Sequence, residues 1–100
     1  MSYQNEVLDD LKQLENLVKK GEALERLKLN PDFKELILNG FLHQYVLDLL
    51  YEKNSDTNSE YYLKLDSIKF FNSYLENITS EAERAKGVKP DYENALNNTN

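Results

Sequence analysis

The stretch "LKLNPDFKELILNGFLHQYVLDLL", Leu27 to Leu50, decides how this chain folds. It holds one of the two prolines, one of the three glycines and the single histidine. Asn30-Pro31 is a boundary. The proline disfavours the helical region at Asn30. Asn30 is also a good N-cap, with Pro31 at the first helical position and Asp32 in the first turn. A helix is therefore expected from Pro31, with Phe33, Leu36 and Ile37 as its apolar face. Asn39-Gly40 favours positive φ and reads as the end of that two-turn helix, with another starting near Phe41. Phe41, Leu42, Tyr45, Val46, Leu49 and Leu50 follow at spacings of a helix, which rejects an Asn-Gly hairpin with its period of two. This is the most apolar part of the chain and is expected to be its buried centre.

Upstream, Val7, Leu11, Leu14 and Val18 alternate steps of four and three, a heptad seam that Leu8 and Leu17 widen. Glu6, Asp9 and Asp10 crowd the first half and Lys19 and Lys20 the second, an order that suits the helix dipole. Gly21 fits a C-terminal cap, but "EALERLK" is a strong helix former that keeps Leu24 and Leu27 near the seam. One helix running through Gly21 to Leu29 is favoured, at about 1 kcal/mol for the glycine.

Downstream, "KNSDTNS", Lys53 to Ser59, is a polar loop, and Thr57 with Glu60 has capping-box spacing. The helix that follows is expected to be the longest. Its seam is Tyr61, Ile68, Phe71, Leu75, Ile78, Ala82 and Ala85, interrupted at Lys64. Ser80 and Glu83 would permit a break near Thr79, but the seam favours one helix to Lys86, stopped by Gly87 and Pro90. Residues 1–89 are read as a single helical domain and residues 90–100 as a mobile C-terminal tail. The fold class is all-α: a small helical bundle with long N- and C-terminal helices packed antiparallel and a short helical pair between them.

Composition narrows the function. The 100 residues carry a formal net charge of −6, with a pI of about 4.7. That balance argues against a phosphate-backbone binder, so no direct nucleic-acid contact is expected. It permits an acidic surface that meets a basic protein. With 0 Cys there is no thiolate chemistry. No run approaches a membrane span, and the polar start "MSYQNEVLDD" does not resemble a signal peptide. The expected setting is cytoplasmic.

Catalytic and metal chemistry find little support. His43 is the only histidine and has no nucleophile or orienting acid in helical register. A metal there would have to recruit carboxylates with no second His. Asp9, Asp10, Glu15, Glu22 and Glu25 interleave with Lys12, Lys19, Lys20 and Arg26, the pattern of a solvated face. "SDTNSE" lacks the spacing and glycine of a calcium loop, and no Gly-rich phosphate loop occurs. A helix-turn-helix reader would present His43, Gln44, Leu47 and Asp48, a set without Arg. "NIT" at Asn77 matches a glycosylation acceptor but falls inside a helix. Neither an enzyme nor a cofactor or metal is expected.

The sharper feature is surplus apolar surface. Leu63, Phe70 and Tyr74 lie off the seam of the long helix and recur at steps of seven and four. One reading is a wide stripe packed between two neighbours. The other is a protein-interaction surface, because one small domain has trouble burying two sides of one helix.

The run "ALERLKLNPDFKELILNGF", Ala23 to Phe41, and the later "SIKFFNSYLENITSEAERA" together resemble a group of small helical proteins of tailed bacteriophages. The shared features are the Asn-Pro-Asp-Phe turn at Asn30–Phe33, the Gly40-Phe41 pair, and a final helix with aromatics and late alanines. The short, Asn-rich middle loop departs from that group. The resemblance implies a phage gene product sited among virion structural and assembly genes, and no catalytic residues. The expected function is a virion structural or assembly protein, such as a minor capsid or head-tail component, working through helix-face contacts with itself or a larger phage structural protein. The alternative is an acidic regulator of a host protein, such as an RNA polymerase or a nuclease. Either places the chain in the host cytoplasm or the virion, as an oligomer or part of an assembly.

Overall fold

The computed structural model describes residues 3–51 and 59–98. Every element among them is helical: α1 (Tyr3–Leu29), α2 (Pro31–Phe33), a π-helix (Lys34–Gln44), α3 (Tyr45–Tyr51) and α4 (Ser59–Asn97). The expected capping box at Thr57 and the polar loop from Lys53 up to residue 58 lie outside the described residues. The all-α class and the long N-terminal helix packed against the long C-terminal helix are as expected from the seams. The chain forms two compact units, Met1–Leu24 with Asn77–Asn100, and Glu25–Glu76.

In the first unit, the start of α1 packs against the end of α4. Val7, Leu11, Leu14 and Leu24 of α1 and Ala82 and Ala85 of α4 are buried. Residue numbers rise on one helix as they fall on the other. Gly21 faces Ala82, Glu15 reaches Lys89 at 4.0 Å, and Val7 shares a cleft with Ala95. The pairing is therefore antiparallel. Small residues permit it: a Cβ on Gly21 would collide with the Ala82 Cβ, and Ala85 is 0% exposed. Two helix backbones come close only where side chains are this small. Gly21 thus stays inside α1 because a glycine is needed at the crossing.

The expected stop at Gly87 and Pro90 does not occur: α4 continues to Asn97 with Pro90 inside it. The residues read as a tail are therefore helical to that point. A proline in a helix interior costs about 3 kcal/mol. The apolar spacing runs on beyond it, and Val88, Tyr92, Ala95 and Leu96 are half-buried. Continued burial along the seam offsets the lost hydrogen bond.

In the second unit, Asn30 caps α2 as expected. Its side-chain oxygen accepts from the Asp32 and Phe33 N–H groups at 2.9 and 3.1 Å. The break expected at Asn39-Gly40 is absent. No described residue has positive φ, and the chain winds without interruption from Pro31 to Tyr51. The winding is widened instead. The Tyr45 N–H donates to the Gly40 carbonyl, a step of five residues. A π-helix usually appears as a single turn; this one spans 11 residues. A Cβ on Gly40 would lie 2.9 Å from the Glu35 carbonyl oxygen, so the glycine leaves space for the wider turn.

The wide turn also redistributes the apolar side chains. Leu36, expected on the inner face, is 67% exposed, whereas Leu38 is half-buried. The expected buried centre is likewise corrected: of Phe41 to Leu50 only Leu49 is buried, while Tyr45, Leu47 and Leu50 are exposed. Tyr45, Leu47 and Leu50 lie on the short α3, where apolar residues fall on more than one side of the helix and one neighbouring helix cannot cover them all.

Candidate functional site

The part of α4 in the second unit has two apolar faces. The inner one is the expected seam. Ile68 and Leu75 are buried there, and Tyr61 and Phe71 are half-buried. The Phe71 ring meets Phe41 edge-on at 5.9 Å, and Phe41 in turn stacks on Tyr45 at 5.8 Å. These contacts hold the π-helix and α3 against the inner face, which directs the opposite face of α4 outward.

That outer face carries Leu63, Phe70 and Tyr74, which are 63%, 75% and 56% exposed. Steps of seven and four place the three in line along the helix. Ser67 falls between them, and its hydroxyl donates to the Leu63 carbonyl at 2.9 Å. The one polar side chain in the middle of the row therefore has its donor satisfied within the helix. The row is bordered by charges: Glu60 and Lys64 pair at 3.5 Å on one side, and Asp66 and Lys69 are exposed on the other. An apolar strip with a polar rim is the anatomy of a protein-contact surface.

Beside the strip lies an open groove of about 430 Å³. Leu42 and Val46 supply one wall, and Tyr62, Leu65 and Ile68 the other. Asp66, Lys69 and Asn72 also line it. Leu42 belongs to the π-helix, so its place on this wall follows from a winding that periodicity does not reveal. A smaller cleft of about 300 Å³ in the first unit is lined by Tyr3, Val7, Tyr92 and Ala95 with Glu6, Asp10 and Asp91.

The other sequence candidates stay apart. His43 is exposed, and the next residue, Gln44, donates its side-chain amide to Asp48 at 3.0 Å. Asp9, Asp10, Glu15, Glu22 and Glu25 are all exposed, as a solvated face requires. The unbroken winding from Pro31 to Tyr51 leaves no helix-turn-helix there. Among the described residues no group of three or more His, Cys, Asp or Glu side chains could hold a metal ion. No described helix is long and apolar enough to cross a membrane.

No protein-family model, no curated protein and no solved structure matches the chain.

Proposed function

We propose that the chain is a non-enzymatic structural or assembly protein that works by packing the Leu63–Phe70–Tyr74 face against another protein surface. The observation that carries the reading is the exposure of three large apolar side chains in one row, with the single interrupting hydroxyl tied to the helix backbone. Aromatic residues at the centre of such strips contribute disproportionately to binding. The resemblance around Asn30–Phe41 supports a setting among virion structural or assembly components of a tailed phage, with the partner a second copy or a larger phage protein.

The test is the double substitution Phe70→Asp with Tyr74→Asp, followed by native mass and by capture of proteins from the native lysate. Loss of assembly mass or of capture, with helix content intact, is expected. Unchanged mass, solubility and capture would overturn the reading.

A second reading is an acidic regulator that occupies a basic site on a host protein. Glu6, Asp10 and Asp91, gathered around one cleft with two tyrosines, favour it. Such binding would weaken steeply with salt, whereas apolar packing would not.

A further inference from the structure

We draw no further inference here: the strongest candidate, the outer apolar face of α4 formed by Leu63, Phe70 and Tyr74 with the groove beside it, carries nothing beyond the contact-surface reading because nothing in the structure shows what covers it.

Discussion

α4 runs through two surroundings, and they differ in what its side chains allow. From Asn77 onward its fully buried residues are small: Ala82 and Ala85, with Gly21 of α1 opposite Ala82. Between Glu60 and Glu76 its residues are large on both sides, Ile68 and Leu75 inward and Leu63, Phe70 and Tyr74 outward. Small residues let one neighbouring helix complete the burial. Large residues on opposite faces need two neighbours, and the second unit supplies one. Among the described residues the first unit exposes only Tyr3 and Leu8 of the large apolar side chains; the rest lie between Leu27 and Tyr74. The first unit is built to be dry, and the second is built with surface to spare.

The contrast can be broken most directly at its core. Leu14→Ala, at 7% exposure in the first unit, is expected to cost about 2–5 kcal/mol in urea unfolding. Leu36→Ala, at 67% exposure in the second, is expected to change stability by no more than about 0.5 kcal/mol. Equal costs would erase the distinction between the units. Next in size is Gly21→Ala. Because the added methyl meets Ala82, it should destabilise by about 1–3 kcal/mol despite the better helix propensity of alanine. Gly87→Ala has the opposite sign. Nothing lies within 4 Å of its would-be Cβ, so a gain of about 1 kcal/mol is expected in thermal unfolding. A loss there would mean that α4 does not continue as one helix through Gly87.

Much of this was legible in the residues. The Val7–Leu11–Leu14 seam, the Asn30 cap and the long seam of α4 rest on spacing and on local hydrogen bonding, both of which a sequence displays. So does the outer row, because Leu63, Phe70 and Tyr74 fall in one helical line. Two features were not legible. Gly87 and Pro90 carry strong local stop signals, and only burial of the residues beyond them outweighs those signals. The π-helix has no periodic signature of its own. Asn39-Gly40 reads as a break, whereas Gly40 instead makes room beside the Glu35 carbonyl. The same winding displaced Leu36 outward and put Leu42 on the groove wall, so the groove could not be anticipated.

The central claim is that the outer row of α4 is a contact surface and not part of the fold's own core. Replacing Phe70 and Tyr74 together with Asp separates the two. Both side chains are more than half exposed, so the fold should lose about 0.5 kcal/mol or less. Light scattering on the wild-type chain should give a mass above the 11.7 kDa of a single copy, and the double variant should fall to that value with its helix content and melting temperature unchanged. A variant that keeps both the wild-type mass and its capture of proteins from the native lysate, or that loses its helix content, would contradict the account.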